Sequence, residues 1–288
     1  MNTKKFQTKL IIHGGAGKMA GTPKHLQEIS RALTTIGESS FSVLNIHGAR
    51  SAVLNAVKML EDNPLFNAGT GSRLQDDGKI RMSASLMDSS TGIFSAVINV
   101  QNIRNPIDIA ELLSREKHTV LAGDKATEYC RLQGVDLYNP VTDLRKAEYD
   151  EHCVGRYGTV GAVALDQEGV IVAGTSTGGI GCEIPGRVSD SATVAGNYAV
   201  DVAGVSCTGI GEEIVNDAVA VRVVIRIQDG MSLRQAVKKT LAEAKESGKR
   251  YGLIAVDKLG NIDYGYSTEG MYYAFHDGQN LSTFLDSD

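Results

Sequence analysis

The chain has 288 residues, with 29 Lys and Arg against 34 Asp and Glu and a formal net charge of −5. Its 42% hydrophobic and 22% charged residues suit a globular protein with a sizeable core, and its acidic balance offers no basic field for nucleic acid or an anionic membrane. No apolar run is long enough to span a bilayer, and the charged opening segment lacks a signal-like apolar stretch, so a cytoplasmic protein is expected. Cys130, Cys153, Cys182 and Cys207 are scattered without a C-x-x-C pair, which predicts reduced thiols rather than zinc ligands or disulfides.

In chain order, the apolar run at residues 9–13 predicts a strand that ends in the turn Gly14-Gly15-Ala16-Gly17. Helical periodicity follows over residues 25–36 and 47–60. Residues 63–71, rich in Asn, Pro and Gly, read as a loop; 80–87 and 93–100 read as paired strands, and 106–116 and 122–132 as helices. Between Tyr138 and Gly158 the periodicity fails and Asp143, Arg145, Lys146, Glu148, Asp150 and Glu151 predict an exposed linker. Strands follow at 159–165 and 170–176, then a strand at 204–208, helices at 212–223 and 232–246, and strands at 253–257 and 262–266. Strands and helices come in grouped runs, which predicts one structural domain of α+β class rather than a doubly wound parallel sheet.

A charged linker ending in Gly158, with Thr159 heading a buried strand, is where a self-cleaving hydrolase would place its scissile bond. Glycine tolerates strained backbone angles, and the threonine hydroxyl could attack the Gly158 carbonyl, shift the acyl group from N to O, and be freed by water. The new α-amine, with an ordinary pKa of about 7.7–8.0, would then be a base on the same residue as the nucleophile. A Gly-Thr pair alone also reads as a β-branched residue opening a strand, so the neighbouring motifs decide.

Those neighbours are Thr175-Ser-Thr-Gly-Gly179, Pro185-Gly-Arg-Val-Ser-Asp190 and Cys207-Thr-Gly-Ile-Gly-Glu212. Further motifs are Ile11-Ile-His-Gly-Gly-Ala-Gly17, Pro64-Leu-Phe-Asn-Ala-Gly69 and Ser267-Thr-Glu-Gly-Met-Tyr272. With them the sequence resembles, over nearly its whole length, the plant-type asparaginases or isoaspartyl peptidases of the N-terminal nucleophile hydrolases. The resemblance implies a four-layer αββα sandwich made as a precursor. It implies a cut into an α subunit, 1–158, and a β subunit, 159–288, and a dimer of such heterodimers. The implied reaction is hydrolysis of L-asparagine or β-aspartyl dipeptides through an acyl-enzyme on Thr159, with no cofactor required.

By the same resemblance Thr177 supports the nucleophile, Arg187 and Asp190 hold the substrate's α-carboxylate and α-amino groups, and Thr208 with the N–H of Gly209 forms the oxyanion hole. Gly211 makes a further backbone contact to substrate and Asn67 borders the site. These roles suit the residue types: a guanidinium fork meets a carboxylate, an aspartate meets an ammonium, and fixed donors face a developing oxyanion. Without the resemblance, Arg187 and Asp190 read as a solvated turn and Thr208 as a helix cap. The resemblance also implies a structural sodium ion on the backbone carbonyls of Leu60, Glu61, Asn63, Phe66, Ala68 and Thr70, stiffening the loop that carries Asn67.

The chain departs from the family pattern at Ser189-Asp190-Ser191-Ala192, where Gly-Asp-Ser-Pro is usual, and at Ser83, where aspartate is common; the linker before Gly158 is also short. Other readings stay open. Gly174-Thr-Ser176-Thr-Gly178 matches a serine-esterase elbow with His276 downstream, although no helix pattern follows it. A threonine protease or glycosylasparaginase-like enzyme would use the same nucleophile. An amino-acid-binding protein would keep Arg187 and Asp190 and never be cut. A phosphate loop at Gly15-Ala-Gly17-Lys18 fails at Ile12 and Met19, and Glu151-His152-Cys153 lacks partner ligands for a metal.

Overall fold

The computed structural model describes residues 5–19, 21–151 and 158–286. The first strand, β1 (Lys9–Gly17), does not stop at His13: the expected glycine turn is its second half, carried past an irregularity between His13 and Gly15. Thr22 caps helix α1 (Pro23–Glu61) by accepting the His25 N–H, and Pro23 supplies the fixed φ of a first turn. Within α1 the two expected helices meet at a break: Gly48 leaves helical geometry (φ 81°), and the Asp166 carboxylate accepts the Ala49 N–H at 3.0 Å.

Strands β2 (Met82–Asp88) and β3 (Ile93–Val100) pair as expected, followed by α2 (Pro106–Leu113), the short β4 (Val120–Ala122) and α3 (Gly123–Leu132). The segment read as an exposed linker instead contains a two-turn helix, α4 (Asp143–Asp150), capped by Thr142. Its charges misled because one of them, Arg145, is buried and partnered by Glu148 and a backbone carbonyl. Residues 152–157, including His152 and Cys153, lie outside the described residues.

Beyond them come β5 (Val160–Leu165), β6 (Ile171–Thr177), β7 (Asn197–Val200) and β8 (Ala203–Gly209). The helix expected at 212–223 is broken by Ala218, in the left-handed region at φ 48°, into α5 (Gly211–Asp217) and α6 (Val219–Gln228). Helix α7 (Leu233–Glu246) opens with a capping box between Ser232 and Gln235, and β9 (Tyr251–Asp257), β10 (Ile262–Tyr266), β11 (Gly270–His276) and β12 (Leu281–Thr283) close the chain.

The fold is α+β. One sheet has the order β12-β11-β1-β5-β6-β2-β3-β4, antiparallel except for the β3 and β4 pair; the other has the order β10-β9-β8-β7 and is antiparallel throughout. Strand alternation sorts the apolar residues into three cores. Leu10, Ile12, Val160 and Ala162 face α1 and α2, whereas Ile11, Val163 and Ala173 meet Ile254 and Val256 of the second sheet. Val205, Cys207 and Leu253 on that sheet's far face pack under Val223 of α6 and Val237 of α7. Among the described residues no helix is long and apolar enough to cross a membrane.

Candidate active site

The register of β5 on β6 sets Val160 opposite Ser176, so the next pair outward, Thr159 and Thr177, ends up side by side at the mouth of the two strands. Both are buried. The Thr159 hydroxyl donates to Thr177 Oγ1 at 3.2 Å, and the Thr177 hydroxyl donates to the Gly158 carbonyl at 3.3 Å. That carbonyl also accepts Asn67 Nδ2 at 2.8 Å. The one peptide between Gly158 and Thr159 is thus flanked by a hydroxyl and by two donors on its oxygen. Gly15, at φ +122°, lies against this peptide; a Cβ there would come within 3.3 Å of Gly158 Cα. Only glycine allows that conformation and that approach together.

A second layer holds the other side of Thr159. His13 Nδ1 lies 3.0 Å from the Thr159 carbonyl oxygen, which can only accept, so Nδ1 carries the proton. His13 Nε2 therefore accepts from Ser206 Oγ at 2.9 Å, and Thr175 Oγ1, 2.7 Å away, donates to Ser206. Burial pushes the His13 pKa down to about 3, against a weaker upward pull from its bond to Thr159, so the ring stays neutral. Gly161 leaves the room: a Cβ would stand 2.1 Å from Ser206 Oγ and 2.5 Å from His13 Nε2. Sequence reasoning missed His13, Ser206 and Thr175 as a unit; the one local signal is a histidine inside the apolar strand β1.

Thr208 lies near the end of β8 in the second sheet, where its Oγ1 accepts the Ala16 N–H at 3.1 Å and keeps its own proton to donate. Gly209 follows at φ +137°, packed so closely on Tyr251 that a Cβ would stand 2.6 Å from Tyr251 Cα. The structure also brings Arg187, Asp190 and Gly211 together: a Cβ on Gly211 would meet Asp190 Oδ1 at 2.9 Å and Arg187 Nη2 at 3.0 Å. Arg187 is engaged by a residue not foreseen in a site role, Glu212, which accepts from Nε at 2.5 Å and from Nη2 at 2.7 Å. Asp190 is buried, and its Oδ2 has no hydrogen-bond partner among the described residues. Burial raises its pKa to about 7; Arg187 pulls it down and Glu212 pushes it up.

In the loop after α1, Gly69 (φ +53°) nests against the Glu61 carbonyl and Gly71 (φ +94°) against those of Pro64 and Phe66, so backbone oxygens converge on glycines. The Glu61 side chain points elsewhere: its Oε1 accepts the Ile107 N–H of α2, and burial raises its pKa to about 8. The esterase arrangement does not form. Ser176 is fully buried on the helix side of β6, whereas His276 stacks on Phe41 and accepts the Gly278 N–H.

Comparison with known proteins gives this geometry its class. The sequence profile described as asparaginase matches residues 6–154 and 146–285, so the chain belongs to the asparaginase family. It is 41% identical to an isoaspartyl peptidase/L-asparaginase of Nostoc, over 98% of this chain and 96% of that protein. It is 37% identical to a plant-type L-asparaginase of Pyrococcus horikoshii, over 92% and 95%. To an isoaspartyl peptidase of Escherichia coli it is 35% identical, over 92% of each chain.

Proposed function

We propose that this chain is a self-processing threonine amidohydrolase that hydrolyses L-asparagine and β-aspartyl dipeptides. The observation that carries the reading is the Gly158 to Thr159 peptide, whose carbonyl accepts both Asn67 and Thr177 while the Thr159 hydroxyl points to Thr177. The names of the relatives from Nostoc and Escherichia coli supply the two substrate classes.

In the first reaction Thr159 Oγ attacks the Gly158 carbonyl carbon, with Asn67 and Thr177 taking the charge that grows on its oxygen. The peptide C–N bond breaks as the nitrogen gains a proton. Water then cleaves the ester, leaving the Gly158 carboxylate and a free Thr159 amine. The products are an α subunit, 1–158, and a β subunit, 159–288. The stacking of helices, two sheets and helices supports a four-layer αββα sandwich for the processed pair, which we take to assemble as a dimer of heterodimers.

In the second reaction the Thr159 amine takes the proton of its own hydroxyl and Oγ attacks the side-chain amide of the substrate. Thr208 and the Gly209 N–H receive the oxyanion, Arg187 and Asp190 hold the α-carboxylate and α-ammonium, and Gly211 lets the substrate approach closely. The unpartnered Asp190 Oδ2 is an acceptor suited to that ammonium. Ammonia or an amino acid leaves, and water releases aspartate. The carbonyls of Leu60, Glu61, Asn63, Phe66, Ala68 and Thr70 would hold a sodium ion on the inward-curled loop, keeping Asn67 in place.

The test is to incubate cleaved protein with L-asparagine and with a β-aspartyl dipeptide, following ammonia and free amino acid. Release from at least one is expected; fully cleaved protein that acts on neither would overturn the substrate assignment.

A further inference from the structure

The segment before the scissile bond is anchored in an unexpected way. Tyr138 OH is 2.8 Å from Thr70 Oγ1, the Pro140 carbonyl accepts the Gly71 N–H at 3.2 Å, and Tyr149 OH donates to the Asp76 carbonyl at 3.0 Å. Between them the buried Arg145 donates from Nε to the Gly71 carbonyl at 2.6 Å and from Nη1 to Glu148 at 2.8 Å. Glu148 in turn stands 3.6 Å from Arg73 Nη2.

The loop that receives this segment is the one that grips the scissile carbonyl. The Arg73 N–H donates to Asn67 Oδ1 at 3.1 Å, and Asn67 Nδ2 donates to the carbonyls of Gly158 and Gly179, at 2.8 and 2.5 Å. Arg145 thus sits on a continuous path, through Gly71 and Glu148 to Arg73 and Asn67, that ends on the bond to be cut. An arginine buried in an otherwise charged and polar stretch needs a reason, since removing its solvent costs energy that only these partners return.

We infer that residues 138–150 act as a built-in clamp for self-cleavage, with Arg145 as the positioning residue that fixes the Asn67 loop against the Gly158 carbonyl. The inference rests on the self-processing reading above. After the cut Asn67 only borders the substrate, which is held by Arg187 and Asp190, so the clamp bears on processing more than on turnover.

The experiment follows conversion of the 288-residue chain into its two pieces for the wild type, Arg145→Ala, Arg145→Lys and Tyr149→Phe, and then turnover of L-asparagine per processed molecule. Arg145→Ala is expected to cleave about tenfold more slowly or worse, because Asn67 is displaced from the carbonyl it stabilises, with Lys, which keeps the charge but not the fork, in between. Turnover per processed molecule should fall by much less than cleavage does. Cleavage of Arg145→Ala at the wild-type rate overturns the clamp, and so does an equal loss of cleavage and turnover, which would mark a merely structural role. Should Arg145→Ala fail to fold, Tyr149→Phe decides: slowed cleavage with unchanged turnover supports the clamp, and an unchanged rate overturns it. A wild type that never cleaves would sink the self-processing reading itself, whereas a cleaving wild type with an equally fast Arg145→Ala would sink only the clamp.

Discussion

The two ends of the site are built differently. Around Thr159 every polar group described is placed by strands of the two sheets or locked into a chain of hydrogen bonds: Thr177 on β6, His13 on β1, Ser206 and Thr208 on β8. Around Asp190 the groups sit on a loop, a single 3₁₀ turn and the first turn of α5, where Arg187 is tied to the exposed Glu212 and Asp190 Oδ2 has no partner among the described residues. The difference shows how such an enzyme divides its work. On the proposed reading, sheets hold the reacting atoms to a fixed geometry, and loops carry the charges that choose the substrate. The departure at Ser189 and Ala192 falls at the second end, where it bears on specificity more than on reaction class.

That contrast makes graded predictions. Thr159→Ala removes the nucleophile of both reactions, so turnover should fall to background, on the order of 10⁴-fold or more, in an ammonia-release assay. Arg187→Ala strikes the loop end and should cost about 30-fold in kcat/KM for asparagine through loss of a bidentate charged contact, while leaving cleavage at Gly158 near its normal rate. Loss of cleavage in this variant would erase the distinction between the two ends.

His13 gives the strand end a pH signature. Its folded pKa lies below the unfolded value, so its neutral ring contributes stability above pH 6.5 that is lost as pH falls from there toward 3. Urea unfolding of the wild type and His13→Gln should therefore differ most at pH 7, with the gap narrowing by about 2 kcal/mol at pH 5. A gap independent of pH would mean the histidine is not held neutral. The smallest effect is expected at Glu212. As an exposed ion pair it should change kcat/KM less than about fivefold when made Gln. Because Asp190 must ionise to hold an ammonium, kcat/KM should climb through about pH 7, and Glu212→Gln should move that limb to lower pH by removing a charge that raises the Asp190 pKa. A limb that stays put would separate Glu212 from Asp190.

Local signals were readable where they sufficed. Strands β5 and β6 are legible as short apolar runs bounded by turn residues, and β3 and β10 have the ends their patterns give, 93–100 and 262–266. The glycines at 14–17 read as a turn because nothing nearby shows that β11 pairs with them. His13 and Ser206 are 193 residues apart, and no periodicity predicts such a meeting across two sheets. Arg145 looked like solvent-exposed charge because its partners, Gly71 and Glu148, become visible only once the segment is docked. Glu212 was quoted within a motif, but its bond to Arg187 depends on how the intervening loop folds back.

The central claim is that the Gly158 to Thr159 bond opens by the action of Thr159 itself, and intact-mass analysis of purified protein held at neutral pH tests it most directly, with Thr159→Ala beside it. The account predicts wild-type pieces of 158 and 130 residues (288 − 158 = 130), the second beginning at Thr159, and an uncut variant. A wild-type chain that stays whole yet hydrolyses asparagine, or a Thr159→Ala chain cut at the same bond, would contradict it.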